Sequence, residues 1–374
     1  MKNAPARFAQ SWVDPSAMGR TVFYVGGFEA IGGIEAFLFD LVTSLPARGT
    51  ERSMLVWAND VPALRGIAQA GTEVLRTPLR WGCRFGLPDR LLFARFGKRL
   101  RDADRIVFAK IPPRTIFERI VGTARSRAPT PAELIFVTPY RPREMWPDAM
   151  PDYIVKGLDR ILVQSSEFAD DLREMGFGGA IDLVPYIPPP AATVPVDPPR
   201  EGRRFRLGFL GRFVAQKNLF YLLDILAALR SSPIELHMFG DGGDGDALRE
   251  AVDKRGLPAT FHGPVPRETV PAAIDSCDAF INPSVSEGQC LVALEVLSRG
   301  RPFIATPVGA IPEILGKGRL GVTIPLDDAA GAAAIVRAFL DEWNNGDWRA
   351  GDVAAAYAGA YPRTEIISDY EKLL

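Results

Sequence analysis

The sequence predicts an α/β protein of two doubly wound domains, each a parallel sheet with helices on both faces. Short apolar strands alternate with helical segments along most of the chain, a pattern typical of parallel sheets. The alternation stops in a proline-rich stretch without periodicity, 185–203, and then starts again. The chain has 374 residues, about twice the length of a usual domain. We therefore expect two domains joined by a linker.

These observations divide the chain into five parts. In order they are a loose leader, an N-terminal domain, a linker, a C-terminal domain and a C-terminal segment, at 1–19, 20–187, 188–204, 205–355 and 356–374. Ligands of doubly wound sheets bind at the carboxyl ends of the strands. Two such domains that face each other are therefore expected to form an interdomain cleft.

Apolar runs and helical periodicity give the individual elements. In the N-terminal domain we predict strands at 21–25, 52–57, 72–76, 104–109, 134–138 and 160–164, and helices at 36–45, 62–70, 87–101, 116–127 and 165–175. In the C-terminal domain we predict strands at 206–210, 234–239, 259–262, 278–282 and 302–305, and helices at 219–229, 245–254, 267–276 and 330–343. A further helix is predicted to begin near Gly288.

The composition excludes several classes of protein. The net charge of −1 argues against nucleic acid as the main partner. The three cysteines, Cys83, Cys277 and Cys290, have no paired spacing, which fits a reducing compartment and gives no metal cluster. With only two histidines, His237 and His262, a zinc enzyme or a Ser-His-Asp hydrolase is poorly supported. The sequence shows no signal peptide and no run near the roughly 20 apolar residues of a membrane span, so we expect a cytoplasmic protein.

The segment 282–295 carries the clearest chemical signal. It leads from a strand through a Ser/Gly turn into the helix near Gly288. A helix start has unpaired backbone N–H groups and partial positive charge, which suit a diphosphate. Two carboxylates, Glu287 and Glu295, bracket it with seven residues between them. Carboxylates repel phosphate, so two glutamates beside a diphosphate site are compatible with it only if they face neutral sugar hydroxyls of the same ligand. The segment therefore predicts a nucleotide-sugar site.

Cations follow the first strand of the second domain. Arg212 and Lys217 lie on the loop and at the start of the next helix. Two cations at the carboxyl edge of a sheet suit a diphosphate, and arginine binds two oxygens at once. The alternative is an ordinary solvated basic loop.

The segment 240–245 matches the spacing G-x-G-x-x-G between a strand and a helix. We reject a dinucleotide site, because that fingerprint belongs after the first strand of a domain and needs an acid at the end of the next strand. A glycine turn is the better interpretation. His237 is expected to be a core or sheet-face histidine. His262, at the carboxyl end of a strand, either contacts a nucleotide base or has no ligand role.

Two basic segments of the first domain leave alternatives open. The amphipathic helix 87–101 is either a solvated face or a surface that docks to anionic lipid headgroups. Arg141, Arg143 and Trp146 follow a strand end and either line an acceptor site or form a salt-bridged loop.

Several of these motifs occur together in the order seen in a known family. They are Gly211-Arg212 with Lys217-Asn218, Phe239-Gly240, Phe261 to Gly263, Pro283-Ser284 with Glu287 to Glu295, and 300–314. Together they resemble glycosyltransferase family 4, the retaining GT-B enzymes with two facing Rossmann-like domains. The match is strong over 205–315, and five motifs in register with strand ends are specific. In the first domain, 32–35 is similar to the family's donor-side glycine loop.

The resemblance implies roles for individual residues. Arg212 and Lys217 would hold the diphosphate and act in catalysis with Glu287, which would contact the donor sugar. Glu295 would bind the ribose hydroxyls, and the C-terminal segment would be a helix that crosses back to the first domain. The remaining donor-binding positions are Gly32, Gly33, His262, Gly288, Gln289, Cys290, Leu291 and Val292.

The implied activity is metal-independent transfer of a sugar from a UDP- or GDP-sugar to a hydroxyl of a saccharide or lipid-linked acceptor. By analogy with the family, we expect this in bacterial surface glycan synthesis, in the cytoplasm or at the inner face of the membrane. The family commonly has a histidine in its first domain, where this chain has Thr138 and Tyr140, and the usual Asn-Gly after the interdomain strand is replaced at 185–190. The missing histidine motivates an alternative, a nucleotide-sugar-binding protein without turnover, and a GT-B epimerase or phosphorylase is a third possibility.

Overall fold

The computed structural model describes residues 19–28, 33–46, 50–58, 62–77, 87–126, 130–138, 140–192 and 203–374. The chain separates into two compact units. The first comprises Met1–Phe136, Gly157–Asp159 and Leu374, and the second comprises Val137–Lys156 and Arg160–Leu373. Most of the predicted leader and part of the predicted linker lie outside the described residues.

The N-terminal half of the chain contributes a seven-stranded sheet in the order β3-β2-β1-β4-β5-β6-β7. Its strands are β1 (Gly19–Phe28), β2 (Thr50–Ala58), β3 (Thr72–Thr77), β4 (Arg105–Phe108), β5 (Glu133–Val137), β6 (Arg160–Val163) and β7 (Ala180–Leu183). Its helices are α1 (Gly33–Ser44), α2 (Pro62–Gln69), α3 (Leu87–Asp102), α4 (Arg114–Arg125), α5 (Pro142–Met145), α6 (Asp152–Gly157) and α7 (Ser166–Glu174).

The C-terminal half contributes a six-stranded parallel sheet in the order β10-β9-β8-β11-β12-β13. Its strands are β8 (Phe205–Leu210), β9 (Ile234–Phe239), β10 (Ala259–Gly263), β11 (Ala279–Asn282), β12 (Phe303–Ala305) and β13 (Gly321–Thr323). Its helices are α8 (Leu219–Ala228), α9 (Gly245–Arg255), α10 (Val270–Asp275), α11 (Leu291–Ser298), α12 (Ile311–Leu315), α13 (Ala329–Asn344), α14 (Ala350–Ala360) and α15 (Arg363–Leu373). The two sheets confirm the predicted α/β class.

Aromatic side chains fill the core of the second unit beside the first strand of its sheet. The ring of Phe205 on β8 meets Trp343 of α13 edge-on at 5.4 Å, and Phe339 lies 6.2 Å away. On the facing helix α8, Leu222 and Leu226 are buried one turn apart, so its apolar stripe points into the same core. Burial of each such side chain stabilises the fold by roughly 1.5–3 kcal/mol.

Three neighbouring strands of the second sheet end in glycines that bring their backbones together. The N–H of Gly211 donates to Phe239 O at 2.9 Å, and that of Gly240 to Gly263 O at 2.7 Å. A Cβ on Gly240 would lie 1.9 Å from the Gly211 carbonyl oxygen. A Cβ on Gly242 would lie 2.3 Å from Phe213 O, so these glycines serve close backbone packing. This geometry supports the glycine-turn interpretation of 240–245.

The sequence analysis missed the shortest elements. Helices α5, α6 and α12 and strands β7 and β13 have six residues or fewer, too short to show a clear period. Helix α14 was missed because it is rich in alanine and has little amphipathic contrast. Helix α15 begins at Arg363, inside the C-terminal segment 356–374 that was predicted to be a helix. In the first unit, Leu374 O accepts a hydrogen bond from Thr21 Oγ1; the crossover role of the segment stays a prediction.

Candidate functional site

Lys217 and Glu287 form an ion pair at the carboxyl edge of the second sheet. Lys217 ends a 3₁₀ turn, Ala215–Lys217, that follows β8, and Glu287 lies in the loop between β11 and α11. The Lys217 Nζ lies 2.5 Å from Glu287 Oε1, and the two side chains are only 17% and 8% exposed. The fold thus brings together two of the three predicted catalytic residues.

The carboxylate of Glu287 is held by two further side chains. Its Oε1 accepts hydrogen bonds from Asn282 Nδ2 at 2.8 Å and from Ser284 Oγ at 2.7 Å. Ser284 Oγ also lies 2.6 Å from Asn282 Oδ1, which closes the network. Glu287 Oε2 makes no hydrogen bond with any residue in the described ranges. One oxygen therefore anchors the loop, and the other is available to a ligand.

Asn282 and Ser284 are site residues that our list from the sequence omitted. Their signal was their position: Asn282 is the last residue of β11, and polar residues at strand ends line ligand sites. Gly309 is a third omission, because its role depends on contacts remote in sequence. A Cβ there would lie 2.1 Å from Glu287 O, and the neighbouring Ala310 N–H donates to Gly288 O at 3.0 Å.

The helix after this loop begins at Leu291 rather than near Gly288, so the predicted start was three residues early. Cys290 precedes it with φ 57° and ψ 75°, a left-handed conformation that ends the loop and starts the helix. The amides of Leu291 and Val292 are in the first turn, where no intrahelical carbonyl precedes them. The positive end of α11 therefore lies directly after the buried loop.

Cys290 and Gln289 turn their side chains into the protein. Cys290 Sγ accepts from Asn282 Nδ2 at 3.2 Å, and burial, together with the charge of Glu287, raises the pKa of its thiol to about 12. The Gln289 side-chain oxygen accepts a hydrogen bond from Tyr186 N–H, and Gln289 is buried. Any ligand contact of these two residues would therefore be made by the backbone.

Gln216 joins the two loops that carry the ion pair. Its carbonyl oxygen accepts from Val285 N–H at 2.9 Å, and its side-chain Nε2 donates to Ser286 O at 2.9 Å. Gln216 directly precedes Lys217, and its two partners lie two residues and one residue before Glu287. They fix the spacing of the two loops.

Arg212 differs from Lys217 in its surroundings. It is exposed, and within the described part of the chain its guanidinium forms no hydrogen bond or ion pair. It lies directly after Gly211, at the same strand end from which the Lys217 turn continues. The loop therefore offers one paired and one unpaired cation.

Glu295 is the fifth residue of α11, a little more than one turn beyond the loop, and is half-buried. Burial raises the pKa of Tyr357 on α14, and the negative charge of Glu295 raises it further. Glu295 is therefore close to α14, and its role toward a ribose stays a prediction.

His262 is exposed at the end of β10, and its ring stacks on Phe239 with centroids 4.4 Å apart. His237, expected in the core or on a sheet face, is half-buried on β9 and hydrogen-bonds to His262. Of the first-domain positions, Gly33 is the first residue of α1, and Gly32 lies outside the described residues. Their donor contacts stay predictions.

The basic segments of the first domain have different outcomes. The predicted helix 87–101 is present as α3, where Arg99 is paired with Glu73 at 3.0 Å. The segment predicted as a loop at 141–143 forms the start of α5 and is salt-bridged: Arg141 and Arg143 both bind Asp171 at 2.8 Å. The second of the two interpretations of this loop is thus the one that the structure supports.

Among the helices that the structure describes, none combines the length and apolarity needed to cross a membrane. Within the same ranges, no group of three or more His, Cys, Asp or Glu side chains has a geometry that would hold a metal ion.

The segment that carries this site matches a known protein family. Residues 204–342, which contain the whole ion-pair network, match the family model described as "Glycosyl transferases group 1". The suspected resemblance to these transferases is thus confirmed over this segment, and assignment to family 4 in particular stays a prediction.

Individual relatives match part of the chain. The glycogen synthase of Mycobacterium tuberculosis is 30% identical over 206 residues, which cover 52% of this chain and 48% of that protein. The phosphatidyl-myo-inositol mannosyltransferase of Mycolicibacterium smegmatis is 33% identical over 162 residues, covering 42% and 40%. The chain thus spans about half the length or less of these relatives.

Solved structures match nearly the whole chain. The Anabaena protein HepE, in complex with UDP and glucose, superposes with a TM-score of 0.72 at 15% identity, covering 94% of this chain and 98% of that one. The lipopolysaccharide outer core galactosyltransferase WaaB gives 0.68 at 17% identity, covering 94% and 99%. The fold is that of GT-B glycosyltransferases.

Proposed function

We propose that this protein is a retaining glycosyltransferase that moves a sugar from a UDP- or GDP-sugar to a hydroxyl of a saccharide or lipid-linked saccharide. The observation that carries the proposal is the pair of loops at the carboxyl edge of the second sheet. They hold the Lys217 ammonium on Glu287 and leave Arg212 unpaired, and the loop of Glu287 ends at the N-terminus of α11. Cationic groups and helix amides in one place are the requirements of a diphosphate.

In this proposal, Arg212 and Lys217 bind the diphosphate oxygens, and the amides of Leu291 and Val292 add further donors. Glu295 binds the ribose hydroxyls. Glu287 contacts the sugar through Oε2, since Oε1 already accepts three hydrogen bonds. Because the carboxylate is held in place before any ligand arrives, Lys217 needs little reorganisation when charge develops.

The reaction breaks the bond between the anomeric carbon of the sugar and the diphosphate oxygen, and the electron pair leaves with the diphosphate. The acceptor oxygen bonds to the same face of the anomeric carbon and gives its proton to the departing phosphate oxygen. Negative charge on the diphosphate grows during this step, so the cations stabilise the transition state more than the ground state. No histidine or protein nucleophile is required.

The comparisons support the class of donor. HepE is described in complex with UDP and glucose, and the relative from Mycolicibacterium smegmatis is described as a mannosyltransferase. By analogy with WaaB, which is described as a lipopolysaccharide outer core galactosyltransferase, we propose a role in surface glycan synthesis on the cytoplasmic side of the membrane. Contact of α3 with anionic lipid belongs to the same proposal. Co-sedimentation with phosphatidylglycerol vesicles, compared with neutral phosphatidylcholine vesicles, tests this contact.

A thermal-shift screen of nucleotide sugars, followed by transfer assays with the best donor, tests the proposed function. A donor at about a hundred times its Kd is expected to stabilise the fold by about 2.7 kcal/mol. The product should keep the anomeric configuration of the donor, which ¹H coupling constants report, and turnover should continue in EDTA.

Other outcomes would change the assignment. Donor binding without turnover, against a broad panel of acceptors, would favour the nucleotide-sugar-binding alternative. Conversion of the donor sugar without an acceptor would favour an epimerase. If no nucleotide sugar stabilises the protein, the proposal is wrong.

A further inference from the structure

Both histidines of the chain lie side by side in the second sheet, in a hydrogen-bonded series with one acid. Glu235 Oε1 lies 3.1 Å from His237 Nε2, and His237 Nδ1 lies 2.9 Å from His262 Nε2. Glu235 and His237 are two residues apart on β9, so their side chains share a face. An irregularity in the pairing of β10, between Phe261 and Gly263, places His262 beside His237.

The imidazole of His262 is held in one orientation. Its plane lies 13° from that of His237, and the short N–N distance joins the two rings edge to edge. One face stacks on Phe239, with centroids 4.4 Å apart and planes 12° apart. Residue His262 is exposed, and in the described ranges its Nδ1 has no hydrogen-bond partner. The ring thus presents a fixed polar atom at the surface.

The chemistry of Glu235 decides which ring nitrogen of each histidine carries the proton. An ionised carboxylate only accepts hydrogen bonds, so the His237 Nε2 must carry the proton. A neutral His237 then has a lone pair on Nδ1, and the His262 Nε2 must donate to it. A neutral His262 is left with a lone pair on Nδ1. Burial and the neighbouring His237 lower the pKa of His262, which favours this neutral form at pH 7.

We infer that Glu235 and His237 fix His262 as its Nε2–H tautomer, and that His262 Nδ1 accepts a hydrogen bond from a nucleobase ring N–H. The inference deepens the proposed function and rests on it. Uracil and guanine both carry such an N–H, so the shared chemistry is an amide-like ring nitrogen. His262 lies at the strand edge that also holds Gly240, whose N–H donates to Gly263 O at 2.7 Å. Glu235 and His237 are positioning residues in this account.

Nitrogen-15 NMR of histidine-labelled protein tests the tautomers directly, because the chain has only two histidines. The protein should carry a purification tag without histidine. At pH 7.5 without ligand, both rings should show a protonated Nε2 and an unprotonated Nδ1. A protonated Nδ1 on His262, or averaged shifts on both nitrogens, would overturn the inference.

Titration with UDP, GDP and pyrophosphate then tests the base contact. UDP or GDP should shift the His262 Nδ1 resonance, and pyrophosphate, which has no base, should leave it in place. If UDP or GDP binds without moving that resonance, the inference fails and the proposed function stands. If neither nucleotide binds, the proposed function and the inference fail together.

The variant Glu235→Ala separates positioning from folding. It should release the tautomer, so that a population with protonated Nδ1 appears on His262, and it should weaken UDP or GDP binding about 2–10-fold. Pyrophosphate affinity should not change. The matched control is Glu268→Ala, which removes an exposed acid outside the series. Unchanged tautomers and unchanged nucleotide affinity in Glu235→Ala would contradict the inference.

Discussion

Two loops of the second unit carry a pair of cations shortly after a parallel strand, and they differ in how those cations are paired. After β5, Arg141 and Arg143 are both bound by Asp171. Two other acids complete the neutralisation, Glu167 and Glu174. After β8, Lys217 has one acid, Glu287, and Arg212 has none in the described chain. Cations at a strand end therefore indicate an anion site only when the neighbouring acids do not fully neutralise their positive charge.

The central acids of the two loops are equally buried but hold different partners. The side chains of Asp171 and Glu287 are 6% and 8% exposed. Arg141 and Arg143, bound to Asp171, are 36% and 45% exposed, whereas Lys217 is only 17% exposed. Water can hydrate the two arginines without their acid, but Lys217 depends on Glu287. The first network therefore fastens α5 to α7, and the second holds a cation in place for a ligand.

The largest expected effect is on the rate of transfer. Lys217→Ala and Arg212→Ala should each lower kcat/KM roughly 100-fold or more, because each removes a cation that stabilises the leaving diphosphate. Arg143→Ala is the matched control and should keep turnover near the wild-type value. Steady-state assays with the donor from the screen give all three values. Near-wild-type turnover in both site variants would contradict the assignment.

A difference in stability should follow when the two central acids are removed. Glu287→Ala leaves Lys217 and Asn282 without their acceptor in a buried place and should cost about 3 kcal/mol. Asp171→Ala frees arginines that water can reach and should cost about 1 kcal/mol. Urea denaturation at pH 7.5 measures both. Equal losses would show that the two networks do not differ as their exposure suggests.

Much of this fold could be predicted from the sequence, because most strands are apolar runs and most helices show a clear helical periodicity. Strand β9 was predicted with its observed bounds, and α8 to within one residue. For the ion pair, the sequence predicted only that Lys217 and Glu287 lie at the same edge of the sheet. That Lys217 bonds to Glu287 depends on loop conformations, and seventy positions separate them in sequence.

Some features could not be predicted because they depend on tertiary contacts. The start of α11 was misplaced because Cys290 adopts a conformation that favours glycine or asparagine, which no pattern of apolar residues reveals. The pairing of Arg141 and Arg143 could not be decided because their acids lie on α7, about thirty positions away. The series from Glu235 to His262 depends on the irregular pairing of β9 and β10.

A smaller effect on stability is expected from substitutions at Asn218, the residue after Lys217. Asn218 has φ 51° and ψ 43°, a left-handed conformation that β-branched residues avoid. Asn218→Val should therefore cost about 2 kcal/mol, and Asn218→Gly should be neutral or slightly stabilising. Thermal unfolding of the two variants gives the comparison. An Asn218→Val protein as stable as the wild type would mean that this turn is not strained.

Gln216 should contribute about 1 kcal/mol through its hydrogen bond to Ser286 O. Gln216→Ala removes that bond but keeps the backbone contact with Val285. Urea denaturation measures the loss, and Gln216→Glu, which cannot donate to the carbonyl when ionised, should lose at least as much. No change in either variant would show that the side chain does not join the two loops.

The smallest expected effect is the alkylation of the Cys290 thiol in the folded protein. Burial raises the pKa of this thiol and that of Cys277 to about 12, so neither forms appreciable thiolate at pH 8. In a Cys83→Ser background, iodoacetamide should label neither residue until denaturant is added. Peptide mapping by mass spectrometry assigns any label. Rapid native labelling of Cys290 would mean that the loop holding Glu287 is open to solvent.

The most direct test of the central claim is calorimetric titration of UDP and GDP into wild-type, Arg212→Ala and Arg143→Ala proteins. We expect one of the two nucleotides to bind the wild type, and we expect the loss of Arg212 to weaken that binding at least tenfold. The loss of Arg143 should leave the affinity unchanged, because its charge is already neutralised by Asp171. The claim is that positive charge without an acidic partner, at the edge of the second sheet, binds the diphosphate. Nucleotide affinity that falls equally in both variants, or that does not fall in Arg212→Ala, would contradict this claim.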